Sequence, residues 1–548
     1  MSPRNVSDPI TINEVQVGSY SLETLTTGMY ENPFHCIREY VQNAYDAIRA
    51  ARASGILAPD TGLVTVSISG SASRPTLSVK DDGEGIRSAE AISTLVSVGA
   101  SKKRSNVNAG FRGIGRLAGI AYCATLRFTT TARGEATATI VEFDCGRMRG
   151  YMRPGAEAQD VKEVIKLCVR TGTTPANEDD HSTEVEMVGL TGIGLEFVEI
   201  ERLVPYLRQV CPADYSDRFG QAPRIRTFAD SLGHPIGAVE VETKYKRERT
   251  QILKAYDDVS PTSDPKKPSA IADIELITSA ELGWHGWIGK SNFKGEITDD
   301  MVAGVRFRIK NIQVGGSEII EDLGAELTTG GTEGRLQRWA VGEIFITNPS
   351  VVPNARRDGF EDGAAWRDIR KDVKARVARR VVTLVRAAST SRKTLKSIAS
   401  EISTVALSLN RDSIDDATSD KMAATIDRLL SRLRPDKLSG GDPNEIGEQT
   451  SKLKSLKDKL VELKSRPPKT DKTQGADVAK PDDEVAGGDS SDNGRGDQDG
   501  GGGEDDHGND WSAEEILEAL RRVMVQELGQ AEADRLFGIA HELLENGD

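Results

Sequence analysis

Arg38-Glu-Tyr-Val-Gln-Asn-Ala-Tyr-Asp-Ala-Ile48 decides how the first part of this chain is read. At helical spacing Phe34, Ile37, Val41, Ala44 and Ile48 fall on one side. Glu39, Asn43 and Asp46 fall on the other, four and three residues apart. A carboxylate and a carboxamide one turn apart can share a magnesium–phosphate site. The carboxylate polarises a water and the carboxamide oxygen holds the metal. Taken alone, the same three residues also describe an ordinary solvated helix face. The neighbouring sequence separates the two readings.

Outward from this helix, Leu63 to Ser69 and Thr76 to Lys80 alternate like strands, joined by the Gly/Ser-rich turn Gly70-Ser-Ala-Ser-Arg-Pro75. Asp81-Asp-Gly-Glu-Gly-Ile86 then sets a carboxylate at a strand end, ahead of two glycines. Such a carboxylate can accept a hydrogen bond from an exocyclic amine, and glycines let the backbone approach a base. By itself the segment reads equally as an Asp-Gly turn. Ser88 and Glu90 open a short helix through Val98, and Gly99 to Asn108 is a polar, basic loop. Gly110-Phe-Arg-Gly-Ile-Gly115 presents backbone N–H groups at the start of a small-residue helix, Arg116 to Tyr122, where phosphate oxygens bind well. Its spacing is not the dinucleotide fingerprint, and no Gly-Lys-Ser/Thr follows as in a P-loop. Lys102 and Lys103 stand just upstream and can neutralise phosphate charge. Strands at Ala124–Thr130, Ala136–Asp144 and Thr183–Leu190 complete an α/β region.

In this order and spacing, Glu39-x-x-x-Asn43-Ala-x-Asp46-Ala47, Asp81-x-Gly-x-Gly85 and Gly110-x-x-Gly113-x-Gly115 resemble the N, G1 and G2 boxes of the GHKL ATPases. That superfamily comprises DNA gyrase B subunits, heat-shock protein 90 chaperones, sensor histidine kinases and MutL mismatch-repair proteins. The resemblance implies a Bergerat-type α/β sandwich and a site for ATP and Mg2+. It implies that Glu39 is the general base, Asn43 the magnesium ligand and Asp81 the adenine anchor, with Gly85 beside the base. Gly110, Gly113 and Gly115 would contact the phosphates, and Ala47, Ile86, Lys102, Arg112 and Ile114 would complete the nucleotide site. Ser182-Thr183-Glu-Val-Glu-Met187 is similar to the family's late Gly-Thr strand, with Ser in place of Gly; Thr183 would join Asp81 at adenine.

Further on, Gly342-Glu-Ile-Phe-Ile-Thr-Asn-Pro-Ser-Val-Val-Pro-Asn-Ala-Arg-Arg-Asp358 and the basic helix from Trp366 are similar to the middle domain of heat-shock protein 90. There a Leu-Asn-x-Ser-Arg-Glu segment supplies an arginine to the γ-phosphate. The Asn-x-x-Arg spacing from Asn354 makes Arg357 the matching residue, with Arg356 as the adjacent alternative. An arginine delivered from a second domain stabilises transition-state charge and couples hydrolysis to closure. Gly99-Ala-Ser-Lys102 and Gly110-Phe-Arg-Gly113 look more like MutL, and the C-terminal region does not resemble the chaperone's dimerisation domain. A sensor histidine kinase is disfavoured, because the only histidine up to Glu39 is His35, inside the first box.

The expected partition is an ATP-binding domain over 1–204, an α/β middle or transducer domain over 205–390 and a helical region over 391–466. A disordered acidic linker over 467–510 and a C-terminal helical module over 511–548 follow. Strands are expected at Asp273–Ile277, Val305–Lys310 and Gly342–Ile346, and helices at Trp366–Ala388, Ile402–Leu409, Ala423–Leu433 and Leu453–Leu463. Residues 467–510 hold thirteen Asp/Glu against four Lys/Arg, which carries most of the net charge of −14 and leaves the rest mildly acidic. Past them, Ile516, Leu517, Leu520, Val523, Leu536, Phe537, Leu543 and Leu544 are spaced as on amphipathic helices fit for docking or dimerisation, or equally for a helix pair folding back on its own core. Five scattered cysteines without a Cys-x-x-Cys pair read as reduced thiols, not as a metal or disulfide framework. No run of about 18 apolar residues and no apolar signal core is present, so a cytoplasmic protein without a membrane span is expected.

The expected function is that of an ATP-hydrolysing conformational ATPase resembling heat-shock protein 90, acting as a homodimer on a client or partner protein. The alternatives are a nucleic-acid clamp of the MutL or gyrase kind, using the basic helix over 367–396, and an ATP-switched scaffold in a bacterial stress or defence system.

Overall fold

The structure, a computed structural model, describes residues 17–26, 32–99, 113, 115–153, 155–156, 159–410, 414–438 and 441–465. The chain divides into two compact units, 1–469 and 470–548, and all described residues lie in the first. The acidic linker and the C-terminal helices expected after residue 466 therefore lie outside the described residues. No helix among the described residues is long and apolar enough to cross a membrane.

Two helices come first, α1 (Tyr20–Thr26) and α2 (His35–Ala53). Asn32 starts α2 by accepting the Phe34 N–H on its side chain at 3.0 Å, and Gly55, at φ +73°, ends it. The first sheet has eight strands: β1 (Leu63–Ser71), β2 (Arg74–Asp81), β3 (Cys123–Thr131), β4 (Thr137–Asp144), β5 (Val169–Pro175), β6 (Ser182–Leu190), β7 (Glu240–Tyr245) and β8 (Glu248–Gln251). Their order is β5-β4-β3-β6-β2-β1-β7-β8. The Gly/Ser-rich turn tightens to a two-residue hairpin, since Ser71 pairs with Arg74.

The register of the three central strands builds the core in rows. Leu77, Met187 and Leu126 stand side by side, then Val79, Val185 and Phe128, then Asp81, Thr183 and Thr130. The first two rows are apolar and buried under α2, whose Cys36 touches Met187. The third row is polar and lies at the end of the same face. The opposite face carries Arg127 with Glu142 and Glu186 as partly exposed ion pairs. This is the period-two alternation of a sheet with one covered face.

The first sheet does not end where an ATP-binding domain over 1–204 would place it. Strand β7 pairs in parallel with β1, from Leu63 opposite Glu240 to Ile68 opposite Tyr245. Val239, Val241 and Ile252 join the first core. A parallel partner so far along the chain leaves no local mark in the sequence.

The second sheet contains β9 (Val259–Ser260), β10 (Ser269–Ser279), β11 (Trp284–Ser291), β12 (Gly304–Ile309), β13 (Ile312–Val314) and β14 (Val341–Ile346), in the order β13-β12-β14-β11-β10-β9. The expected helix from Trp366 runs Ala364–Val373, a π turn over Lys374–Ala378, then Arg379–Ser408. Gln337 Nε2 donates to Ala378 O at 3.0 Å inside that widened turn, a side-chain insertion of the kind that produces π turns. The end of the long helix packs with Asp416–Arg432 and Pro443–Ser465 around Leu395, Ile398, Ile402, Leu429, Leu453 and Leu460.

Candidate active site

The expected faces of α2 are both present, but neither is solvated. Phe34, Ile37, Val41, Ala44 and Ile48 are fully buried in the first core, and Glu39 and Asp46 are buried too, at 8% and 3% exposure. The second sheet and its loops cover the polar side. A solvated polar face is therefore ruled out for Glu39 and Asp46; Asn43 is half-buried.

Glu39 meets two elements. A Cβ built on Gly115 would collide with its carboxylate, so the glycine is what allows the phosphate-side segment to lie against Glu39. On the other side, Arg357 Nε lies 3.1 Å from Glu39 Oε1, with both side chains about one-tenth exposed or less. The contact is an ion pair by distance but not aligned as a hydrogen bond. Arg357 has φ +58°, a left-handed backbone that costs a non-glycine residue about 1–2 kcal/mol. Its N–H donates to Asn354 O at 3.2 Å, and its carbonyl accepts from Gly315 N at 2.9 Å, so the turn is held from both ends. Strain of this kind concentrates where a side chain must be aimed. Arg356 is exposed, but its carbonyl accepts from Arg38 on α2 at 2.8 Å. Of the two arginines, the geometry puts Arg357 against Glu39.

Asp81 and Thr183 stand directly opposite each other on β2 and β6. Asp81 Oδ1 accepts the Gly83 N–H at 2.9 Å, which turns the chain toward Ala47. Glu84 N–H donates to the Ala47 carbonyl at 3.2 Å, tying this loop to α2. Gly85, at φ +66°, is pressed so closely onto Thr131 O that any Cβ would overlap it. Ile86 N–H donates to Thr130 Oγ1 at 2.9 Å. An acceptor-only carboxylate, a hydroxyl and two close-packed glycines at the end of an apolar face fit a purine base carrying an exocyclic amine. Gly113, at φ +71°, precedes a helix that begins at Gly115 and is of 3-10 type, Gly115–Ala121, where the sequence reads as a small-residue helix over Arg116–Tyr122. Tyr40 of α2 pins this helix: its hydroxyl accepts from Gly119 N at 2.8 Å and donates to Arg116 O at 3.2 Å. Lys102, Gly110, Arg112 and Ile114 lie outside the described residues.

Three contributors escaped the sequence. Lys310 is on the two-residue turn between β12 and β13, where Ile309 pairs with Ile312 and both Lys310 and Asn311 have positive φ, a type I′ hairpin. Burial depresses its ammonium to about 8, against the pull of Asp46, and Arg49 and Arg357 lower it further. A second cation thus stands near Arg357 and the Asp46 carboxylate of α2. His181 Nδ1 contacts the carbonyls of Asp82 and Gly83 at 3.0 and 2.8 Å. Two carbonyl partners require Nδ1 to carry the proton. Thr130, on β3, completes the polar row. Asn311, in a turn position that favours it, was the one available sign of the hairpin; nothing local marks the destination of the others. His35 is a packing residue here, its ring lowered to about 3 by burial and by Arg38.

Residues 30–168 match the family model described as histidine kinase-, DNA gyrase B-, and HSP90-like ATPase. The match supports a GHKL-type ATPase domain in that stretch, and the chain is of α/β fold there, followed by further α/β and helical parts. No curated protein matches the chain.

Proposed function

We propose that this protein is a Mg2+-dependent ATPase in which hydrolysis requires the second α/β layer to close on the first, in the manner of heat-shock protein 90, and that it acts as a homodimer on a protein partner. The observation that carries this reading is the buried Arg357–Glu39 pair. It joins the residue best suited to polarise a water with a cation from the far layer.

Each residue has a defined task in this scheme. Asp81 accepts the amine of the base and Thr183 faces the neighbouring ring edge. Gly113 and Gly115 offer close backbone approach to the phosphates. The Asn43 carboxamide oxygen would hold Mg2+, which supplies charge neutralisation on the phosphates when bound. Glu39 orients the attacking water and takes its proton. Arg357, and Lys310 behind it, meet the charge that develops on the terminal phosphate. In the described arrangement Arg357 occupies Glu39 itself, so Glu39 becomes available to water once Arg357 turns to an anionic partner.

The basic helix weighs against the nucleic-acid clamp. Arg370 and Lys374 pair with Glu326, Arg376 with Asp372, Arg380 with Glu275, Arg386 with Glu333 and Arg367 with Asp362. Arg392 donates to the Asn292 and Phe293 carbonyls. Cations so engaged have less to offer phosphates, which favours a protein partner. The test is steady-state ATP turnover by the wild type and Glu39→Ala, with and without DNA and unfolded protein. Turnover that survives Glu39→Ala unchanged removes the proposal. Stimulation by DNA at low salt, without stimulation by protein, replaces it with the clamp.

A further inference from the structure

We infer that Thr130 is the residue that sets base recognition, by fixing the position and proton of the Thr183 hydroxyl; this rests on the ATP reading of the Asp81–Thr183 site. Thr130 is 1% exposed and stands on β3, directly across from Thr183, whose other neighbour is Asp81. Its Oγ1 lies 2.9 Å from Ile86 N, 3.0 Å from Ser182 O and 2.9 Å from Thr183 Oγ1. One buried hydroxyl therefore joins the loop after Gly85, the backbone of β6 and the side chain that faces the base.

A threonine hydroxyl has one proton and two lone pairs. The Ile86 N–H takes one lone pair. The proton then has two acceptors within reach, Ser182 O and Thr183 Oγ1. When it goes to Ser182 O, the second lone pair accepts the Thr183 proton and Thr183 presents lone pairs only. When it goes to Thr183 Oγ1, the Thr183 proton is free to point outward. Asp81 is acceptor-only, so the site can then offer an acceptor beside a donor. That pair is complementary to an amine beside an unprotonated ring nitrogen, the edge of adenine. It opposes a carbonyl beside a protonated nitrogen, the edge of guanine. Rotation of one buried hydroxyl lets Thr183 supply the donor, and the same hydroxyl holds the Gly85 loop at the right distance. Thr130 is thus a positioning residue with a consequence for specificity. A plain structural tie between β3 and the loop would affect both purines alike.

The test measures binding of Mg-ATP and Mg-GTP, and ATP turnover, for the full chain as wild type, Thr130→Val and Thr130→Ser. Thr130→Val keeps the shape and removes the hydroxyl, leaving Ile86 N–H and Thr183 Oγ1 without their partner. We expect ATP binding to weaken by about tenfold to a hundredfold. GTP binding should change by less than about threefold, and the turnover defect should fall on KM rather than on kcat. Thr130→Ser, which restores the hydroxyl, should return the ATP-to-GTP ratio to within about threefold of wild type. The inference is overturned if Thr130→Val leaves that ratio unchanged, or if Thr130→Ser fails to restore it. Should Thr130→Val not fold, Thr130→Cys, with its weak thiol donor, must lower the ratio at least about threefold, and an unchanged ratio overturns the inference. A wild type that binds neither nucleotide is a different failure, because it sinks the ATP reading before any variant is compared.

Discussion

Breaking the Glu39–Arg357 pair is the perturbation with the sharpest expected outcome. The two groups lie 3.1 Å apart and are nearly excluded from solvent. At an effective dielectric constant of about 20, unit charges at that distance attract by about 5 kcal/mol. Dehydration of both offsets much of this, so the pair adds little net stability. Removing only one partner is another matter, because it strands a buried charge, at a cost of about 3–5 kcal/mol. Glu39→Gln and Arg357→Met preserve side-chain volume and isolate the charge. Each single variant is expected to lower the free energy of local opening of α2 by an amount in that range. The double variant, which strands no charge, should lose less than either single variant alone. Hydrogen exchange of the α2 amides reads this locally, with no assumption that the whole chain unfolds in one step. The pair should resist screening by moderate salt, being buried. In turnover, Glu39→Gln is expected to lose about 100- to 10,000-fold and Arg357→Met about 1,000- to 100,000-fold. The double variant should be no worse than the more damaging single one, since residues acting as a unit are not additive. A coupling energy below about 0.5 kcal/mol together with multiplicative turnover losses would refute the reasoning: the two layers would then not meet at Glu39 in solution.

Three other perturbations follow from the same geometry. Gly85→Ala adds both left-handed strain of about 1–2 kcal/mol and an overlap with Thr131 O. It should lower ATP affinity at least about tenfold in a binding titration, whereas Gly55→Ala, at a similar φ with open space around its Cβ, should leave affinity unchanged. Lys310 is charged below about pH 8 and neutral above it. Thus kcat/KM for ATP, which reports the free enzyme, should fall as pH rises through 8, and Lys310→Arg should keep it level to about pH 10. A fragment ending at residue 204 removes Leu207, Val210, Val239, Val241, Ile252 and Ile312 from the first core, with Cys211 and Ala213. For the six large side chains, at about 1.5–3 kcal/mol each, this is about 9–18 kcal/mol by extended-chain bookkeeping, comparable with the whole stability of a domain. The fragment should fail to show a cooperative thermal transition, while one ending at 465 should show it.

What the sequence disclosed and what it concealed divide along one physical line. Local periodicity exposed α2, the β1–β2 hairpin and the central strands β3, β4 and β6, because their apolar spacing and turn residues are written within a few positions. The sequence set Asp81 at a strand end, and the register then puts it one row beyond Leu77 and Val79 on the covered face. The three boxes and the later Thr183 strand, once aligned by resemblance, pointed to residues that the fold does bring near one another: Glu39 with Gly115, and Asp81 with Thr183. Concealed were the features that depend on distant pairing. Thr130 is an unremarkable strand threonine until register puts it beside Thr183. Strand β7 has no local signal of its parallel partner, and Lys310 reads as a surface lysine until its hairpin is docked. The basic helix shows its arginines in the sequence but not most of their acidic partners, because Glu275, Glu326 and Glu333 come from far off in the chain.

The two cations that reach α2 are delivered by one piece of structure, and this bears on how closure occurs. Lys310 sits at the tip of the β12–β13 hairpin. Gly315, just beyond β13, donates its N–H to the carbonyl of Arg357, and a Cβ at Gly315 would press against Asp358 O. The Arg357 turn is therefore fastened to the end of the hairpin that carries Lys310. The hairpin in turn is anchored by Arg308. Its guanidinium pairs with Glu343 on β14, donates to Asn311 O at 3.0 Å beside Lys310, and donates to Gln209 O at 3.1 Å at the end of the helix Ile200–Val210. Glu343 is enclosed by Arg308, Lys254, Tyr215 and Trp287. Burial pushes its carboxyl up, but Arg308 and Lys254 outweigh that and hold it below the usual carboxylate range. Burying so many charges gains little stability over an apolar core, but it leaves a single hydrogen-bonded arrangement for the guanidinium, and so a single place for the hairpin. Under the proposed mechanism, Lys310 and Arg357, fastened to each other through Gly315, would therefore meet a bound nucleotide as one unit rather than as two independent side-chain swings.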